Sequence, residues 1–146
     1  GRIHSDVHSV MVHRSSPDLV FAPTGGGLYV SKDGGQAWTK VYDCYCRAVW
    51  VDPDDPDHLV LGPADGVDAQ GRIEKSLDGG ETWQDASPGL EAPWSHHMVE
   101  RFGQVRGELM AVLSNGDLAA APLDTLAWQR VFPDLPAVAA VAAFET

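Results

Sequence analysis

Three residues with the chemistry to bind a ligand stand shortly before a recurring valine: His8, Arg47 and His97. A guanidinium can bind an anion through two parallel hydrogen bonds, and an imidazole can donate, accept or transfer a proton near neutral pH. Asp6 and Tyr45 lie close to them in the sequence. These residue types predict a binding site for an anionic or sugar-like ligand. The alternative is a hydrated polar lining with no specific ligand.

Other chemistries need arrangements that the sequence does not supply. The run HSDVH at residues 4–8 has metal-ligand residue types but no diagnostic spacing, so we predict no metal and no cofactor. Glycoside hydrolysis requires two carboxylates across a cleft. Asp6, Asp43, Asp65 and Glu100 are candidates, but nothing in the sequence pairs them. We therefore favour a protein without catalytic activity and keep glycoside hydrolysis as the alternative.

The tryptophans that follow these positions mark an internal repeat. Trp38, Trp83 and Trp128 stand 45 residues apart, and repeats of about 40 to 50 residues are typical of propeller blades. Each copy contains short β-branched or aromatic runs that are separated by turn residues, which indicates strands. We count four strands in each copy and find no convincing helical stripe.

Four antiparallel strands repeated at this interval predict an all-β fold made of β-propeller blades. We place the blades at about residues 7–43, 46–88 and 97–133, within a single segment that covers residues 1–146. Residues 137–145 are then the first strand of a further blade or a closing strand. Because a ring needs four to eight blades, about three blades leave it incomplete in one chain.

A blade exposes two apolar faces and therefore needs a neighbour on each side. We expect self-association, or a partner chain that supplies further blades; two chains of three blades would give six. The Ala-rich run AVAAVAAF at residues 137–144 would form an apolar edge strand that can pair with another chain.

Two eight-residue segments share a turn-forming pattern: SKDGGQAW at residues 31–38 and SLDGGETW at residues 76–83. Adjacent glycines take positive φ at little cost, so the chain can reverse sharply between the third and fourth strands. The Asp carboxylate can accept from backbone N–H groups within the turn, and the Trp can pack between sheets. We therefore assign a structural role to Ser31, Asp33, Gly34, Gly35, Trp38, Ser76, Asp78, Gly79, Gly80, Thr82 and Trp83.

These segments resemble Asp-boxes, the BNR repeats of pattern S-x-D-G-G-x-T-W. The second matches fully, the first has Ala37 in place of Thr, and the third copy, residues 121–128, keeps only the Trp. Asp-boxes occur in sialidases, oligoxyloglucan-active glycosidases, sortilin-type receptors and photosystem II assembly factors. The resemblance implies a β-propeller with the boxes on its outer rim, and residues 6–41 are similar to bacterial sialidase-like or glycosidase-like proteins.

Because these families do unrelated things, the resemblance implies no single function. We expect a binding scaffold for a protein or a glycan, with its site at the mouth of the central channel. The alternative is a sialidase-like or glycosidase-like hydrolase whose other catalytic residues lie on further blades.

The charge balance narrows the set of partners. With 21 acidic and 10 basic residues, the formal net charge of −11 would repel nucleic acids and anionic membranes. No apolar run reaches the roughly 18 residues of a membrane-spanning helix. Cys44 and Cys46 predict free thiols rather than a disulfide or a zinc site. We expect a soluble chain, in the bacterial cytoplasm or exported, because the sequence does not specify a compartment.

Overall fold

The computed structural model describes residues 1–131, which form three four-stranded antiparallel sheets. Sheet 1 contains β1 to β4, at Met11–His13, Ser16–Thr24, Gly27–Ser31 and Thr39–Tyr42. Sheet 2 contains β5 to β8, at Tyr45–Asp52, Asp55–Ala64, Glu74–Ser76 and Gln84–Asp85. Sheet 3 contains β9 to β12, at Val99–Val105, Glu108–Leu113, Leu118–Pro122 and Gln129–Val131.

Each sheet is a meander, so its connections alternate between two ends of the sheet. The β1–β2 turn lies at the same end as the β3–β4 connection, where Gly34 N–H donates to the carbonyl oxygen of Asp18 at 2.9 Å. The first strand of each sheet, β1, β5 or β9, is called its inner strand. The three inner strands begin at the opposite end, which we call the entry end. Side chains at the start of the three inner strands can therefore meet there.

Two apolar cores hold the sheets together, and β5 contributes to both. Val49 and Val51 belong to the core between sheets 1 and 2. Ala48 and Trp50 belong to the core between sheets 2 and 3, as expected because successive residues of a strand point to opposite faces. The Trp50 indole N–H also donates to Gln104 Oε1 in β9 at 3.1 Å. Sheet 2 is thus the middle layer of the described residues.

The all-β prediction and the four strands in each copy are confirmed for residues 1–131, where no helix is present. The three sheets do not close into a ring within this range. The strand expected at residues 137–145 lies outside the described residues. Among the residues that the structure describes, no helix is long and apolar enough to span a membrane.

Candidate functional site at the entry end

Strand register defines which residues are equivalent at the entry end. The register shifts directly after Cys46 in β5 and directly after Val99 in β9. The residue that follows the shift is Arg47 in sheet 2 and Glu100 in sheet 3. In sheet 1 the matching position is His8, whose N–H extends the ladder to β2. The structure therefore aligns His8, Arg47 and Glu100.

Arg47 is the centre of this group of residues. Its Nη1 donates to Asp68 Oδ1 at 3.0 Å and to Glu100 Oε1, and its Nε donates to Tyr45 Oη at 3.3 Å. The side chain is 16% exposed. Burial by itself lowers the pKa of Arg47, but the hydrogen bond with Tyr45 and the charges of Glu100 and Asp68 outweigh it and raise that pKa. The guanidinium therefore stays charged and held in place.

His8 connects sheet 1 to this cluster. Its Nδ1 lies 2.9 Å from the carbonyl oxygen of Cys46, so Nδ1 must carry the proton and donate. Its Nε2 lies 3.2 Å from Asp6 Oδ2 and 3.4 Å from Tyr45 Oη. The imidazole and phenol rings pack with centroids 5.1 Å apart. Asp6, His8, Tyr45 and Arg47 thus form a continuous chain of polar contacts from sheet 1 to sheet 2.

A cavity of about 490 Å³ opens between the inner strands beside this chain of contacts. Its walls combine charged groups with an apolar surface, and they are formed by His8, Ser9, Val10, Met11, Tyr45, Arg47, Ala48, Val49, Glu100, Arg101 and Phe102. Such a mixture suits a ligand that has both apolar and polar groups. All three sheets contribute to this cavity, and the inner strands position its polar groups.

The structure gives Arg47 two carboxylate partners that the predicted bidentate binding of an anion did not include. Two carboxylates, from Asp68 and Glu100, already occupy Nη1. An added anion would have to compete with both charges, so the cavity does not present an unpaired cation. A ligand that donates hydrogen bonds or carries a positive charge fits these carboxylates better.

His97 does not lie with His8 and Arg47. The sequence predicted that it would, because all three residues stand shortly before a valine. His97 precedes β9, and its ring stacks on Trp94 with centroids 5.0 Å apart. Burial lowers the pKa of His97, and the charges of Asp117 and Asp68 oppose this only in part. The sequence alignment failed here because it matched Val99 with Val49. Val99 precedes the register shift of its strand, whereas Val49 follows the shift in β5.

Sequence reasoning missed the contribution of Asp68. This residue lies in the connection between β6 and β7, within the insertion VDAQG at residues 67–71. Its φ is 51°, a left-handed conformation that Asp adopts more readily than most residues. A carboxylate in an insertion at the entry end was an available signal, whereas its contact with Arg47 requires the fold.

The other carboxylates considered for glycoside hydrolysis lie apart from this cavity. Asp43 pairs with Lys40 at 3.2 Å, and Asp65 pairs with Arg72 Nη1 at 3.0 Å. Of the carboxylates proposed from the sequence, Glu100 lines the cavity and Asp6 contacts His8 at its edge. Within residues 1–131, no group of three or more His, Cys, Asp or Glu side chains has the geometry to hold a metal ion.

The first box segment forms a tight turn between β3 and β4. Asp33 Oδ1 accepts from Gln36 N–H at 3.0 Å, from Ala37 N–H at 2.8 Å and from Ser31 Oγ at 2.8 Å. Gly34 has φ 73° and the next glycine has φ 95°, conformations that favour glycine. The carboxylate is therefore used within the turn.

The second box segment repeats this arrangement and adds one hydroxyl. Asp78 accepts from Ser76 Oγ at 2.7 Å and from Thr82, through its N–H at 2.9 Å and its Oγ1 at 2.5 Å. These bonds, that of the Thr82 hydroxyl first, lower the pKa of Asp78 to about 2. The Trp83 indole N–H donates to Gly80 O at 3.0 Å. Both segments lie at the end of the sheets opposite Arg47.

A second cluster links the outer strand of sheet 1 to sheet 2. Tyr42 Oη donates to Glu74 Oε2, while Arg72 donates to the same phenol oxygen at 3.2 Å and to Glu74 at 3.0 Å. Burial first, and then the hydrogen bond with Glu74, raises the pKa of Tyr42 to about 12. Cys44 and Cys46, nearby, are both free thiols among the described residues.

Comparisons with known proteins identify a fold rather than a family. No protein-family model and no curated protein sequence matches the chain. An ancestral GH74 enzyme is similar in structure, with TM-score 0.69 and 18% identity over 86% of this chain and 18% of that chain. The GH74 enzyme of Niastella koreensis has TM-score 0.68 and 20% identity, over 86% of this chain and 21% of that chain. YCF48 bound to a D1 peptide has TM-score 0.61 and 14% identity, over 86% of this chain and 39% of that chain.

The chain therefore spans about a fifth to two fifths of the length of these solved structures. At these identities the likeness establishes the architecture alone. The described residues are an all-β segment with a propeller-type arrangement of three four-stranded sheets.

Proposed function

We propose that this chain is part of a β-propeller scaffold that binds a protein or a ligand at the mouth of its central channel. The observation that carries the proposal is Arg47, which brings Tyr45, Asp68 and Glu100 together beside a cavity lined by all three sheets. Because the ion pairs and the packing of the inner strands hold these groups in place before binding, the site loses little conformational freedom when a ligand arrives.

A peptide segment of a protein fits the walls of this cavity. Met11, Val49 and Phe102 offer apolar surface, while Glu100, which Arg47 holds in place, offers an acceptor for N–H groups of a peptide. The solved structure of YCF48 bound to a D1 peptide is a similar fold in complex with a peptide. Protein binding is therefore our first choice and glycan binding the second.

Glycoside hydrolysis remains the alternative because two of the similar structures are GH74 enzymes. Asp68 and Glu100 are two carboxylates in one place, as such a reaction requires. However, both carboxylates accept from Arg47 Nη1, so each is already engaged within the protein rather than free to contact a leaving group or a water. This pairing favours binding over catalysis.

The identity of the box segments belongs to the same proposal. We infer that residues 31–38 and 76–83 are Asp-boxes of BNR repeats, and that blades extend over about 7–43, 46–88 and 97–133. The hydrogen bonds of Asp33 and Asp78 within their turns support this inference. Further blades, from self-association or from a partner chain, would complete the scaffold.

The test is selection of short random peptides on the immobilised chain, followed by calorimetry with the enriched peptides. We expect Arg47→Ala to weaken their binding by at least about tenfold, because Tyr45, Asp68 and Glu100 would no longer be held in place before binding. Tyr45→Phe, which keeps the packing, should have a smaller effect. Arg130→Ala is the control, since Arg130 pairs only with Asp117 on the surface in the described residues.

Circular dichroism must show the same strand content for every variant. Enriched peptides whose affinity is unchanged by Arg47→Ala would contradict binding at this site. Release of reducing sugar from xyloglucan oligosaccharides by the wild-type chain, lost in Glu100→Gln, would instead establish the hydrolytic alternative.

A further inference from the structure

One face of sheet 1 exposes valines that are buried at the same positions of sheet 2. Val12 pairs with Val20 in β2, as Val51 pairs with Leu59 in β6. Val12 is 54% exposed, whereas Val51 is 5% exposed because sheet 1 covers it. The valines two residues earlier show the same contrast, with 60% exposure in β1 and 6% in β5. Sheet 1 therefore has the surface to which another sheet could dock.

The tryptophans of the repeat show the same difference. The Trp83 indole N–H donates to the carbonyl oxygen of Val41 at 3.4 Å, and that of Trp128 donates to Ala86 at 2.8 Å. In both cases the acceptor lies 42 residues earlier, at the outer edge of the neighbouring sheet. Among the described residues the Trp38 indole N–H donates only to Gly35 O of its own turn, at 3.0 Å. The Trp38 backbone N–H donates to the carbonyl oxygen of Gly1 at 3.1 Å. A docked sheet would supply the acceptor that the other two tryptophans have.

The repeat itself indicates what kind of surface covers these residues. The equivalent valines of sheet 2, Val49 and Val51, are covered by the face of sheet 1 that contains Phe21 and Val30. Sheet 3 has a corresponding face that points away from sheet 2, and Met110 and Ala120, which alternate with the buried core residues of their strands, lie on it. Both are partly exposed.

We propose that a second copy of this chain docks its third sheet onto the face of sheet 1 formed by Val10, Val12 and Trp38. Two copies that dock reciprocally form a closed pair with six sheets, a number within the range of known propellers. This inference rests on the part of the proposed function in which further blades complete the scaffold. It does not depend on what the entry-end cavity binds.

The first test is the mass of the purified chain by light scattering over a range of concentrations. We expect twice the chain mass of 15.7 kDa for the wild type at high concentration. Val12→Lys should weaken the association roughly a hundredfold and give 15.7 kDa, because docking would bury an unpaired charge. Since Val12 is exposed in one copy, this change should leave the fold intact, as circular dichroism can verify.

Leu77→Lys is the matched control. Leu77 is 58% exposed and occupies the second position of its box, where the first box has Lys32. This substitution introduces the same charge in a place where the repeat tolerates it, so the mass should not change. Trp38→Phe tests the indole contact, and we expect association to weaken roughly threefold to tenfold, the usual effect of losing one hydrogen bond.

A mass of 15.7 kDa for the wild type at every concentration would overturn the proposal. Association that Val12→Lys does not weaken would also overturn it, since the contact would then lie elsewhere. Arg47→Ala separates the two proposals. It should weaken peptide binding without changing the mass, so a failure of one proposal is distinguishable from a failure of the other.

Discussion

Asp78 and Asp33 occupy the same place in two copies of one turn and differ by a single hydroxyl. Thr82 donates through both its N–H and its Oγ1 to Asp78, whereas Ala37 can donate only its N–H to Asp33. The pKa of both carboxyls is lowered, chiefly by the Thr82 hydroxyl for Asp78 and by the Ala37 N–H for Asp33. Each turn is therefore stabilised when its carboxylate is charged.

We predict that Thr82→Ala lowers the stability of the chain and that Ala37→Thr raises it. The folded pKa of Asp78, about 2, is below the ordinary value of 3.8. Its contribution is therefore complete above about pH 4 and is lost as the pH falls towards 2. The difference between wild type and Thr82→Ala should shrink over this interval. Urea unfolding at several pH values measures it, and a difference that does not depend on pH would contradict this explanation.

At the scale of elements, β4 and β7 belong to different sheets and are joined by polar contacts. Tyr42 of β4 bonds to Glu74 of β7, and Arg72 bonds to both. This cluster lies at the outer part of the sheets, where the apolar core between them ends. The cluster therefore adds polar contacts between the outer strands of sheets 1 and 2.

We predict that Tyr42→Phe costs about 1 kcal/mol of unfolding free energy, the net value of a typical hydrogen bond. Since the folded pKa of Tyr42 is raised to about 12, its contribution is present below about pH 10 and is lost as the pH rises towards 12. Ultraviolet titration should show one tyrosine that ionises at unusually high pH, and this transition should be absent in Tyr42→Phe. Tyr29→Phe provides the control. A high-pH tyrosine transition that persists in Tyr42→Phe would refute the assignment to Tyr42.

The elements were easier to predict from the sequence than the site. Repeated Trp and turn residues predicted the order of strands, because these signals are local. The alignment of Arg47 with His8 follows from comparison with the first copy, and the role of the two residues in binding stays a prediction. Glu100 was considered only for glycoside hydrolysis, because the register shift in β9 depends on pairing with β10 and has no local sequence signal. The contact of Asp68 depends on how a connecting loop folds.

At the scale of the whole molecule, sheet 2 contributes to both apolar cores, whereas sheets 1 and 3 each contribute to one of them among the described residues. In repeat proteins stability is approximately a sum of the stability of each unit and of its interfaces with its neighbours. The middle sheet should therefore open least often, and a damaged core should affect mainly the two sheets that share it.

Leu61→Ala and Leu109→Ala form a matched pair that tests this coupling. Both leucines are fully buried, the first between sheets 1 and 2 and the second between sheets 2 and 3. Each substitution should cost about 2 to 5 kcal/mol. We expect Leu61→Ala to speed amide hydrogen exchange in sheets 1 and 2, and Leu109→Ala to speed it in sheets 2 and 3. Equal acceleration in all three sheets for both variants would show instead that the segment unfolds as one cooperative unit, with no independent interfaces.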